Sequence, residues 1–203
     1  MTRSVAGLLL ALFVAAVSAC SAEMEQRRNR EMFEHALATA ERGDRVAAFH
    51  VGSMYRDGIG TARDPDKALS WYELGGPHGG WAMIGEMYEQ GDGVPRDPER
   101  AASYYRRAAE TGEPVSMYRF GCLHAEGRGA APDGVEGYMW LLLAQKIGER
   151  SLTCHVAHFS CREWALKDRP GCRARLAATL TPEQQAEAER RAAAWLATRP
   201  LTR

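Results

Sequence analysis

The chain matches itself three times. Gly52-Ser-Met-Tyr55, followed by Gly58-Ile-Gly60, Asp64-Pro65, Lys67-Ala68 and Trp71-Tyr72, returns 33 residues later as Gly85-Glu-Met-Tyr88, Gly91-Asp-Gly93, Asp97-Pro98, Arg100-Ala101 and Tyr104-Tyr105. A third copy lies 36 residues further on, with Gly121, His124, Gly127-Arg-Gly129, Asp133, Gly137 and Trp140-Leu141 in the same frame. A period of this size marks a repeat architecture, in which each unit is too small to bury its own apolar face. Such a chain folds as a row, with the interior of every unit finished by the unit beside it.

Each unit reads as a hairpin of two helices. The first, helix A, ends ahead of Gly58, Gly91 or Gly127, because glycine takes the left-handed conformation that closes a helix. Asp64 and Asp97 then stand before Pro65 and Pro98, an N-cap carboxylate followed by the residue best tolerated at the first helical position, and Asp133 repeats the cap without the proline. Helix B begins there. Ala68 and Ala101 precede Trp71 and Tyr104 by three residues, which puts a small and a large side chain on one face, and Gly137 with Trp140 keeps the pair. Gly52, Gly85 and Gly121 fall inside helix A, where each costs about 1 kcal/mol against alanine, so another helix is expected to approach closely there. With 45% apolar residues, many alanines and few β-branched residues, the composition agrees with an all-α chain.

These residues resemble the Sel-1-like repeat family, relatives of the tetratricopeptide repeats distinguished by a Gly-x-Gly loop. The resemblance runs from about Phe33 to Gly148. It implies an α-solenoid of stacked antiparallel hairpins used as a protein-binding adaptor, with repeats at 47–79, 80–112 and 113–148. Phe33 to Gly43 looks like a helix B without its A, giving an N-terminal capping helix over 31–46, and 149–180 is expected to be a cysteine-rich partial repeat. Thr181-Pro182-Glu183-Gln184 opens a C-terminal capping helix over 181–203, with Leu180, Ala188, Ala192 and Trp195 as its apolar stripe. The Gly79-Gly80-Trp81 junction is three residues short of the family length, His124 stands for the usual tyrosine and Gly137 for the usual alanine. Ser53, Arg56, Glu86, Glu89 and Arg119 fall on the polar face of successive A helices, the face a solenoid presents to a protein or peptide partner.

The first residues follow a different logic. Arg3, the apolar run Val5 to Val17 and Val17-Ser-Ala-Cys20 make a secretory signal over 1–19, whose apolar stretch is short for a bilayer span. The ending resembles the bacterial lipobox, which implies lipidation of Cys20, loss of the preceding segment and anchoring in the cell envelope, in the outer membrane facing the periplasm, with the lipid as the sole membrane contact. The alternative is a plain signal cut near Ala19. Residues 20–30, polar and without an apolar period, read as a flexible tether.

Four further cysteines, Cys122, Cys154, Cys161 and Cys172, form an even set that in an exported protein reads as two disulfides. On one helix Cys154 and Cys161 would lie about 10.5 Å apart, beyond the roughly 7 Å reach of a bridge, so Cys122 is expected to join one of them and Cys172 the other. A metal site from Cys154, His158, Cys161 and Cys172 is the competing reading, set aside because no Cys-x-x-Cys pair is present, and neither metal nor cofactor is expected.

Balanced charge, 26 basic against 26 acidic side chains, leaves no excess to neutralise phosphates and argues against nucleic acid as a partner. Catalytic signatures fail too: there is no Gly-x-Ser-x-Gly, His-Glu-x-x-His, phosphate loop or Ser-x-x-Lys. His50 and His124 are available as bases on A helices but read as surface or core-edge histidines. The expectation is a non-catalytic adaptor. The alternatives are a β-lactamase-like or other cell-wall hydrolase, an activity associated with cysteine-rich members of the family, and a redox- or metal-responsive envelope sensor.

Overall fold

A computed structural model describes residues 2–128, 133–149 and 171–199. The described residues form helices and no strand. In chain order they are α1 (Thr2–Glu41), α2 (Arg45–Asp57), α3 (Pro65–Gly75), α4 (Gly80–Gln90), α5 (Pro98–Glu110), α6 (Pro114–Ala125), α7 (Gly134–Gly148), α8 (Cys172–Thr179) and α9 (Pro182–Thr198). From α1 to α7 each helix packs on the next; α9 then returns to α7, and α8 lies against α6 and α7. This is an all-α solenoid whose pairs α2–α3, α4–α5 and α6–α7 are the three repeats.

Caps fix where the helices start. The Asp64 carboxylate accepts from the Lys67 amide at 3.0 Å, Asp97 from Arg100 at 3.0 Å, and Asp133 from Val135 and Glu136 at 2.9 and 3.0 Å. Gly58 and Gly91 close α2 and α4 at φ of 71° and 77°, the left-handed region expected of them. Thr181 and Gln184 form a reciprocal capping box ahead of α9.

The core is shared between units. Ala68 and Tyr72 of α3 are buried with Ile84 and Met87 of α4, and Ala101, Ala102 and Tyr105 of α5 with Met117, Phe120 and Leu123 of α6. At the C-terminal end Ala192 of α9 is fully buried in that second cluster, and Trp195 meets the Trp140 ring edge-on at 6.1 Å. Each of these large side chains contributes roughly 1.5–3 kcal/mol by leaving water, and does so only when its neighbouring unit is in place. The glycines inside α2 and α4 do mark close approaches: a methyl group on Gly52 or Gly85 would sit 2.6 or 2.8 Å from the ring of Tyr72 or Tyr105.

Three details add to the sequence reading or differ from it. The fully buried aromatics opposite Gly52 and Gly85 are Tyr72 and Tyr105, whereas Trp71 and Tyr104 are half-buried and pack toward the preceding helices. Residues 20–30 are not a tether but part of α1, which is continuous to Glu41; the capping helix therefore starts upstream of 31 and stops before 46. The stretch is made of strong helix formers, with Arg27 and Glu31 paired at 2.9 Å one turn apart, so it stays helical without an apolar stripe. The short junction between the first two repeats is accommodated because Gly80 brings its backbone directly onto the Tyr72 carbonyl, a contact that a side chain would block.

Candidate interaction surface

Of the five residues expected on the polar face, Glu86, Glu89 and Arg119 are in direct contact. Ser53 and Arg56 lie on α2, Glu86 and Glu89 on α4 and Arg119 on α6, each partly rather than fully exposed. Arg119 reaches back to the preceding unit, its guanidinium 2.8 Å from Glu89 and 3.8 Å from Glu86, and lies over the Tyr105 ring at 5.7 Å. Tyr105 donates its hydroxyl to the same Glu89 oxygen at 2.8 Å. One repeat earlier, Tyr72 donates to Ser53 at 3.1 Å, and Ser53 donates to the Phe49 carbonyl. Arg56 holds Asp57 through two nitrogens at 2.8 and 3.2 Å.

Electrostatics follows from this pairing. Burial pushes the Tyr105 phenol far above its ordinary range, with the Glu89 carboxylate adding to the effect, and burial likewise raises Tyr72. Burial pulls the Arg119 guanidinium down, but Tyr105, Glu86 and Glu89 more than offset it, and its pKa rises. The bidentate bond to Asp57 raises Arg56. Two arginines and two glutamates leave the set close to neutral, with its charged groups paired.

Sequence reasoning missed the two tyrosine hydroxyls that anchor this row. The signal was present, since Tyr72 and Tyr105 occupy the same position in consecutive copies and Leu141 replaces them in the third. A different set of ties runs elsewhere: Arg63 pairs with Asp92, and Arg107 pairs with Glu73 at 2.7 Å while covering the Trp81 ring at 4.4 Å. Each such pair crosses from one repeat to the next, so together they set the register of stacking more than the stability.

The other candidates fall apart from this row. His50 is exposed. His124 is buried, stacked on Phe120 at 5.4 Å, with Nε2 3.2 Å from a Glu136 oxygen but not aligned as a hydrogen bond, which is a core-edge position. Cys122 and Cys172 lie side by side in the apolar cluster of α6, α7 and α8, whereas Cys154, His158 and Cys161 lie outside the described residues. Among the described residues no group of three His, Cys, Asp or Glu side chains is placed to hold a metal, and no helix is long and apolar enough to cross a membrane. Cys20 is exposed on α1.

Stacked helix hairpins with a polar row along their A helices define a helical-repeat solenoid. The Sel1 repeat model matches residues 45–76, 82–112 and 114–144. A Sel1 repeat protein from Oxalobacter formigenes of known crystal structure is 32% identical, with a TM-score of 0.51 over 58% of this chain and 94% of that one. The chain belongs to the Sel1 repeat family. A second solved structure, c5321, described as a protective antigen of uropathogenic Escherichia coli strains with an SLR fold, is 22% identical over 83% of this chain and 48% of its own length, with a TM-score of 0.33. No curated protein matches the chain. Sel1 repeat proteins generally mediate protein–protein interaction and are typically non-catalytic scaffolds.

Proposed function

We propose that this chain is a non-catalytic adaptor, anchored to the cell envelope through a lipid on Cys20, that presents its A-helix face to a protein or peptide partner. The observation that carries this reading is the row Ser53, Arg56, Glu86, Glu89 and Arg119, drawn from three repeats and held in fixed orientation by Tyr72, Tyr105 and the neighbouring charges. Polar groups already locked in place lose little freedom on association, so binding to such a surface costs less. The anchor rests on the sequence Val17-Ser-Ala-Cys20 and on the exposure of Cys20. A location at the outer membrane facing the periplasm belongs to the same proposal.

Photo-crosslinking in cells tests the surface. A crosslinker at Ser53 or Arg56 is expected to capture a defined protein, while the same group at the exposed Ser70 or Ser103 on B helices captures none. Equal labelling from both faces, or none from the A face, would overturn the proposal. Metabolic labelling with a fatty-acid analogue, lost in Cys20→Ser, tests the anchor separately.

A further inference from the structure

Away from the A-helix row, the described chain brings one pair of reactive groups together. Cys122 sits in the last turn of α6, and Cys172, fifty positions later, is the first residue of α8. Cys122 and Cys172 pack in one apolar cluster with Leu141, Leu176 and Tyr118. Cys172 is 2% exposed and Cys122 is partly exposed. The neighbouring thiol, then burial, pushes Cys122 far above the usual thiol range.

The helix they hold is short. An eight-residue helix is not stable by itself in water, and among the described residues α8 meets the solenoid through its buried Cys172 and Leu176 and through Arg175, paired with Glu126 at 3.4 Å. A covalent link at Cys172 fastens it where apolar area alone is small. We propose that Cys122 and Cys172 are a disulfide pair that pins α8 to the third repeat. This pairing differs from the one expected from sequence, which joined Cys122 to Cys154 or Cys161, and it stands independently of the adaptor reading.

The bond forms by exchange with a small disulfide such as oxidised glutathione. Cys122, the more exposed, loses its proton to solvent and attacks one sulfur of the oxidant, breaking its S–S bond and expelling one thiolate. Cys172, deprotonated in turn, attacks the Cys122 sulfur and expels the second. The protein pair is oxidised by two electrons, and the external disulfide is reduced to two thiols. Since the thiolate is the reactive form and burial disfavours it at Cys122, exchange is fastest while α8 is undocked.

The test uses the full-length chain in mild detergent carrying Cys154→Ser and Cys161→Ser. It is exposed to oxidised glutathione both in the folded state and during refolding from urea, then alkylated and mapped by mass spectrometry without reduction. A linked peptide pair containing Cys122 and Cys172 is expected, lost on adding Cys172→Ser while the circular dichroism of the chain stays helical. The proposal is overturned by full alkylation of both cysteines in both arms. It is equally overturned if, in the chain with all its cysteines, Cys122 is found joined to Cys154 or Cys161.

Discussion

At the scale of single residues, the repeat depends on pairing a residue without a side chain against a large ring. Gly85→Ala places a methyl group 2.8 Å from the ring of Tyr105, which is buried and has no free end to swing away. Overpacking outweighs the better helix propensity of alanine, and a net loss of about 1–2 kcal/mol is expected from urea denaturation at neutral pH. The same ring supplies a pH test. Tyr105 has its pKa raised on folding, so it stays protonated when the unfolded chain has begun to ionise; stability is intact below the ordinary tyrosine value near 10 and falls as pH rises above it. Tyr105→Phe removes the hydroxyl bond to Glu89, costing about 1 kcal/mol at pH 7. It also removes one titrating group, so between about pH 10 and 12 it is expected to lose stability less steeply than the parent. Denaturation midpoints at several alkaline pH values decide this, and parallel curves would count against it. The need for glycine at 52 and 85 was legible from the period, but the identity of the opposing ring was not. Positions 71 and 72 both lie within a turn of Ala68, and only the placement of the neighbouring helix chooses between them.

Among elements, the N-terminal helix shows what composition conceals. Asn29 stands fourteen residues before Gly43 as Pro98 stands fourteen before Gly112, and both glycines have positive φ, at 94° and 98°. Asn29 therefore occupies the first position of a helix B, and its carbonyl packs on Gly60, as Pro65 packs on Gly93 one unit later. The later half of α1 is thus a helix B that caps the row, with Phe33 and Ala40 buried against Ala48, Val51 and Met54 of α2. This equivalence was partly visible in Phe33 to Gly43. Its upstream extension was not, because a polar run carries no apolar period whether it is coil or free-standing helix. Phe33→Ala, which also removes an edge-on contact with Tyr55 at 5.2 Å, is expected to cost about 3 kcal/mol locally. Hydrogen exchange should report the loss in α1 and α2, with α6 and α7 unchanged. Uniform loss through the chain would mean that the units are not energetically separable.

For the whole molecule, the order of helices was readable from the repeat frame, as was the equivalence of columns 53 and 86, and of 56 and 89, which recur at one spacing. What the frame did not carry is that Arg119 turns back onto Glu86 and Glu89, because that bond depends on the distance between stacked units rather than on position within one. Part of the row is consequently a seam between the second and third repeats, whatever else it meets. The C-terminal end is the place where stacking, seam and cap can be separated. Ala192 is fully buried where α9 meets the core of the third repeat, and Arg199 crosses back to the Glu110 carbonyl at 2.7 Å. Ala192→Glu forces a carboxylate into that contact, and undocking α9 is less costly than burying the charge unpaired. The expected result is loss of hydrogen-exchange protection in α9 and α7, with α2 and α3 protected as before, because stability in a row of units passes only between neighbours. In the same variant a crosslinker at Ser53 should still capture a partner while capture at Arg119 falls, since only the third repeat has lost its support. Retained capture at Arg119 would show that the partner holds the third repeat in place by itself.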